Sequence, residues 1–144
     1  MKHIRALAEN YIRKNEGEVL TPYKDSRGIL TIGVGHNLTY GISKAASAFI
    51  FKEDLDKAEN NLKEAIPDIY NSLDANRQLV LLDLCFNMGI GGVLKFKKML
   101  AALTAKDYEL AARELLDSSY ARMLTTRAKR NAEILITGEI CLLD

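Results

Sequence analysis

Leu79-Val80-Leu81-Leu82, continued by Leu84-Cys85-Phe86, is a stretch with almost no polar side. Asp74 ahead of it can cap a helix start, and Gly89 behind it can end one. A helix that is apolar on nearly every face has no side to give to water, so it must lie among other helices. That segment commits the chain to a helical core. At 144 residues the length suits one ordinary domain, which hides roughly 68% of the surface its unfolded chain exposes. Such a core needs no metal or disulfide staple. The run from Leu79 to Met88 is interrupted by Asp83 and Asn87, and it falls short of the roughly 20 residues of a membrane span.

The remaining pattern is mostly helical. Ile4, Leu7, Ala8, Tyr11 and Ile12 follow helical spacing, and Gly17 stops that helix with Glu16 in its last turn. The helix dipole is negative there, an unusual setting for a carboxylate that predicts a raised pKa. Ser43 can cap a long helix with the stripe Phe51, Leu55, Ala58, Leu62 and Ala65, ending at Pro67. Further amphipathic pieces run from Val93 to Leu103, Asp107 to Leu116, and about Thr126 to Ile136 before Gly138. Only residues 19–38 read as strands: Leu20-Thr21-Pro22-Tyr23 and Ile29 to Val34 are rich in β-formers, and Asp25-Ser26-Arg27-Gly28 makes a turn between them. The fold class is α+β, mostly α. The chain reads as a single domain over 1–144, with a small β lobe at about 17–42 and a helical part formed by 1–16 and 43–144. A cleft between two such lobes is the expected place for a site.

Twenty Lys and Arg against 19 Asp and Glu give a net charge of +1. No global basic field speaks for nucleic acid, and none draws the chain to an anionic wall. The basic group Arg127-Ala128-Lys129-Arg130 stands without a further basic stripe, so no nucleic-acid partner is expected. Gly33-Val34-Gly35-His36-Asn37-Leu38 begins like a dinucleotide fingerprint, but Leu38 takes the third glycine's place and no βαβ unit surrounds it. Cys85 and Cys141 each sit among apolar residues and read as reduced, buried thiols; a bridge between them has no spacing signature. His3 and His36 have no ligand partner at i+3 or i+4, so no metal is expected. Met1-Lys2-His3-Ile4-Arg5-Ala6 leads into an amphipathic pattern and not a secretory leader, which predicts a soluble product that accumulates in the cytoplasm.

Chemistry concentrates between Glu16 and His36. Glu16 ends a helix, Asp25 opens a tight turn and Thr31 sits on the next strand; a hairpin folded back on that helix brings all three to one opening. Two carboxylates across a cleft suit glycoside hydrolysis, one kept protonated for the leaving oxygen and one ionised on the opposite face. Glu16, set among apolar neighbours at a negative helix end, fits the protonated partner. Asp25, in a polar turn, fits the ionised one. Turn chemistry and a solvated helix end explain the same two residues without catalysis, and spacing alone does not decide.

The ordered set of motifs adds a resemblance. Glu16-Gly17, Tyr23-Lys24-Asp25-Ser26-Arg27-Gly28 and Thr31-Ile32-Gly33-Val34-Gly35-His36-Asn37-Leu38-Thr39 resemble the signature of the phage-type lysozymes, glycoside hydrolase family 24. Ser72-Leu73-Asp74-Ala75, Phe86-Asn87-Met88-Gly89 and Arg127-Ala128-Lys129-Arg130 extend the similarity to about Gly138. The resemblance implies an endo-acting muramidase that cleaves the β-1,4 bond between N-acetylmuramic acid and N-acetylglucosamine in peptidoglycan, without a cofactor. It implies Glu16 as general acid, Asp25 as the carboxylate that activates water, and Thr31 as a hydroxyl that helps hold that water. An inverting family implies carboxyl groups roughly 6.5–9.5 Å apart. Gly35 and Asn37 match its cleft floor, and Phe86 an apolar wall for a sugar; for Phe86 a core aromatic is an equal reading. His36 reads as structural, with Asp54 as its expected partner. Arg127 matches a family Arg near the acid, or is a solvated charge at a helix start.

The resemblance further implies a monomeric phage or prophage endolysin that reaches the wall after membrane permeabilisation, without inserting into the membrane itself. The sequence departs from the pattern in places. Thr39 to Ser43 is short, so the β lobe should be reduced, and Met99 and Glu114 replace polar or amide cleft positions. The near-neutral charge, against the basic character common in that family, predicts weaker and less salt-sensitive wall association. A non-catalytic peptidoglycan-binding or interaction protein on the same scaffold, and a glycosidase of chitin-like polymers, are the competing functions.

Overall fold

A computed structural model describes residues 2–140. Helix α1 (Lys2–Glu16) leads into strands β1 (Val19–Lys24), β2 (Leu30–Gly33) and β3 (His36–Asn37), followed by a 3-10 turn at Leu38–Tyr40. Seven further helices follow: α2 (Lys44–Ala65), α3 (Pro67–Ser72), α4 (Ala75–Leu94), α5 (Lys97–Thr104), α6 (Tyr108–Leu116), α7 (Ser119–Met123) and α8 (Thr125–Thr137). The α+β, mostly α, class holds. Two compact units divide the chain, Met1–Phe49 and Ile50–Asp144.

The first unit holds α1 and an antiparallel sheet in the order β1-β2-β3. Tyr23 pairs with Thr31 and Lys24 with Leu30, but Val19 pairs with Gly33, so the register slips between Val19 and Tyr23. Pro22 lies in that interval without an amide to donate, and β1 is an edge strand, where proline is tolerated. The α1 backbone ends as expected, the Gly17 amide (φ +75°) donating to the Arg13 carbonyl at 2.8 Å. Its apolar stripe, in contrast, is exposed: Ile4, Leu7, Tyr11 and Ile12 all exceed half exposure. Among the described residues, every buried hydrophobic side chain lies between Ala58 and Leu135, in the second unit.

That second unit is built around α4. Val80, Leu81 and Leu84 have no exposed surface and pack with Leu62, Val93, Leu103, Leu115 and Leu135. Capping follows the sequence signals: Asp74 accepts from the Arg77 amide, Asp107 from the Leu110 amide, and Ser43 from the Ala46 amide at the head of α2. Gly138 closes α8 in the left-handed conformation. Three details differ from expectation. Gly89 does break α4 (φ 77°, ψ 169°), but helix resumes and runs to Leu94. The piece expected as Val93 to Leu103 is therefore split between α4 and α5. At 20 residues α4 is also long and apolar enough to cross a membrane by length and composition. Its Val80, Leu81, Leu84, Cys85 and Val93 are buried in the core, while Leu79, Phe86 and Leu94 stay exposed, so it is not enclosed on every face. The Cys85 thiol is buried and lies 3.5 Å from the Ala58 carbonyl, and burial pushes its pKa up. Its suggested partner, Cys141, lies outside the described residues.

Candidate active site

Glu16, Asp25, Thr31, Gly35 and Asn37 all belong to the first unit, and Phe86 to the second. In the first, Asp25 opens the turn from β1 to β2. Its Oδ1 accepts from the Arg27 amide at 2.8 Å and the Ile29 amide at 2.9 Å. The turn closes on the same residue, with the Asp25 amide donating to the Ile29 carbonyl and the Gly28 amide to the Asp25 carbonyl, each at 2.9 Å. The Ile29 amide bond is the main influence holding the Asp25 carboxyl below its ordinary value. Desolvation opposes it, while the Arg27 amide and positive charge assist to a lesser degree. Asp25 is thus an anion with one oxygen fixed by backbone donors. Among the described residues nothing bonds to Oδ2, which is left for another proton donor.

Thr31 is 3% exposed on β2, and its hydroxyl donates to the Ile29 carbonyl at 2.8 Å. Ile29 therefore ties the two side chains together, its amide fastening Asp25 and its carbonyl accepting from both the Asp25 amide and Thr31. The sequence offered Asp25 and Thr31 as candidates but not this link, because it is made by backbone groups that any residue type supplies. The hydrogen of Thr31 is committed, so its oxygen can take part in further bonding only as an acceptor.

Glu16 is exposed at the end of α1, which corrects the expectation of an apolar surround. Its close neighbour is Gly35, in the turn between β2 and β3. A β-carbon built on Gly35 would stand 2.9 Å from Glu16 Oε2 and 3.2 Å from Cδ. The carboxylate lies against bare backbone. Arg13 and Glu18 pair on either side of the helix end.

The other expected site residues have defined local roles. Asn37 Oδ1 accepts from the Thr39 amide at 2.9 Å and the Thr39 hydroxyl at 2.5 Å, capping the 3-10 turn. The His36 ring bonds through Nε2 to the Gly41 carbonyl at 2.7 Å, a backbone oxygen of the adjoining loop, whereas Asp54, its expected partner, belongs to the second unit. In the second unit Phe86 is 39% exposed and meets Phe51 with ring centroids 5.5 Å apart, at an interplanar angle of 60°. Those rings are not core aromatics. Phe86 also lines a pocket of about 350 Å³ with Asp54, Lys57, Asn61 and Cys85.

Arg127 is not a free charge at a helix start. Its Nε and Nη2 reach the two oxygens of Asp83 at 3.0 and 2.5 Å, and Asn131 Nδ2 adds a bond at 2.9 Å. Burial pushes the Asp83 carboxyl up, but the Arg127 and Asn131 hydrogen bonds outweigh it and hold the group below the ordinary carboxylate range. Asp83 was legible only as an interruption in an apolar run; its partner lies 44 residues away.

The family model described as phage lysozyme matches residues 13–133. A probable T4-type lysozyme 2 of Dictyostelium discoideum is 30% identical, over 92% of this chain and 95% of its own length. The endolysin of Salmonella phage P22 is 34% identical over 70% of this chain and 73% of its own. The pre-baseplate central spike protein Gp5 of Enterobacteria phage T4 is 27% identical over 90% of this chain but only 27% of its own length. The matched stretch contains Glu16, Asp25, Thr31, Gly35, Asn37 and Phe86.

Proposed function

The chain belongs to the phage lysozyme family, glycoside hydrolases, and from that premise we propose that it is an endo-acting muramidase cleaving the β-1,4 bond between N-acetylmuramic acid and N-acetylglucosamine in peptidoglycan. The observation that carries this reading is the state of Asp25: an anion braced through Oδ1 by two amides, with Oδ2 open, in the same compact unit as a second carboxyl at Glu16.

Glu16 gives its proton to the glycosidic oxygen as the bond to the muramic acid anomeric carbon breaks, and it ends as the carboxylate. A water molecule attacks that carbon from the opposite face and loses a proton to Asp25 Oδ2. Thr31, whose own hydrogen is held by Ile29, accepts the water's other hydrogen at Oγ1 and so points a lone pair towards carbon. The anomeric configuration inverts, and exchange with solvent resets both carboxyls. Glu16 is exposed in the free protein, so the bound glycan itself must shield the acid during the step. Gly35 and Asn37 line the sugar's path beside the hairpin, and Phe86 offers an apolar face to a sugar ring. No metal or cofactor enters this scheme.

The whole chain acts as one catalytic domain and as a monomer. It serves as a phage or prophage endolysin that accumulates in the host cytoplasm and meets its substrate once the membrane has been permeabilised. The test is a turbidity assay on permeabilised Gram-negative cells with wild type and Glu16→Gln side by side. Lysis by the wild type and none by a folded Glu16→Gln is expected; undiminished lysis by the variant would overturn the reading.

A further inference from the structure

Two glycines flank Val34, Gly33 at the end of β2 and Gly35 in the turn to β3, and both have positive φ, +69° and +63°. Their surroundings differ. A β-carbon on Gly33 would meet nothing within 4 Å, whereas one on Gly35 would meet Glu16 Oε2 at 2.9 Å, Cδ at 3.2 Å and Cγ at 3.5 Å. The three nearest atoms it would meet there all belong to one carboxyl side chain. Real β-carbons do not tolerate the shortest of those separations, so the side chain would have to swing away.

We propose that Gly35 is a positioning residue for Glu16: its bare, left-handed backbone leaves the gap in which the carboxyl lies. The glycine is needed twice over, since L side chains disfavour this φ and since the space they would fill is occupied by the acid. This inference rests on Glu16 being the proton donor, and it gives Gly35 a role beyond lining the sugar's path. Because Glu16 is the exposed end of a flexible chain, a methyl group at position 35 moves it at little cost to the fold. The chemistry suffers instead, because the proton donor no longer stands where the leaving oxygen arrives. A misplacement of about 1 Å in a catalytic group costs on the order of 100-fold in rate.

The paired variants Gly35→Ala and Gly33→Ala separate this effect from backbone strain, which both carry. Turnover and apparent KM are measured on purified peptidoglycan, with thermal midpoints alongside and Glu16→Gln as reference. We expect the two alanine variants to lose similar thermal stability. Gly35→Ala should lose about 10- to 100-fold in kcat with apparent KM nearly unchanged, while Gly33→Ala keeps a kcat close to wild type. Should Gly35→Ala fail to fold, Gly35→Asn against Gly33→Asn repeats the comparison with a residue that accepts positive φ. Equal kcat in the two partners of a pair overturns the inference. An inactive Glu16→Gln beside a fully active Gly35→Ala overturns it alone, and a fully active Glu16→Gln overturns it together with the reading beneath it.

Discussion

At the scale of the residue, Asp25 is an anion made by its backbone. The amides of Ile29 and Arg27 aim at one carboxylate oxygen, and they do so because Gly28, at φ +78°, lets the chain turn back within four residues. In the proposed mechanism Asp25 must be ionised to receive a proton from water. Its folded pKa is depressed from 3.8, so the stability it lends is fully present above the unfolded value and is lost as pH falls through the lower folded one. The same sign applies to activity: the acid limb of kcat/KM is expected below pH 3.8. A pH–rate profile with wall fragments checks this, and an acid limb above that value would contradict it. The sequence offered Asp25 as the ionised partner, and its lowered pKa agrees with that state. It did not identify Ile29, whose contribution comes from peptide groups and not from its side chain.

At the scale of the element, α4 and α8 are joined by a polar cluster at the margin of the core. Asp83 takes two bonds from Arg127 and one from Asn131, and Asn131 is 4% exposed. Asp83→Asn keeps the shape and removes the charge, leaving a partly exposed guanidinium with a weaker partner. The variant should be less stable by about 1–2 kcal/mol near neutral pH, in urea denaturation, after allowance for solvent screening. The depressed Asp83 pKa sets the sign: the gap between wild type and variant should close as pH falls through the carboxyl's folded value. An unchanged midpoint at neutral pH would contradict the assignment. Helix limits were the most legible part of the chain, because Ser43, Asp74, Asp107, Gly17 and Gly138 carry capping chemistry in their own side chains or in its absence. Short elements were not. The helices α3 and α7 have six and five residues and β3 has two, too few for a hydrophobic period to repeat.

At the scale of the whole molecule, the two units divide the labour. The apolar run at Leu79 to Phe86 was enough to foretell a helical core, and the second unit supplies it. The order Glu16, Asp25, Thr31 was enough to suggest a site, and the first unit carries all three. The pairing of Asp83 with Arg127 and the approach of Glu16 to Gly35 were not legible, because both depend on chain segments brought together only by folding. In the proposed mechanism Asp25 activates a water and does not itself attack the sugar. Proton NMR of the first reducing ends released from soluble peptidoglycan fragments tests it most directly. The account predicts that the muramic acid α-anomer appears first and then equilibrates; initial release of the β-anomer would contradict it.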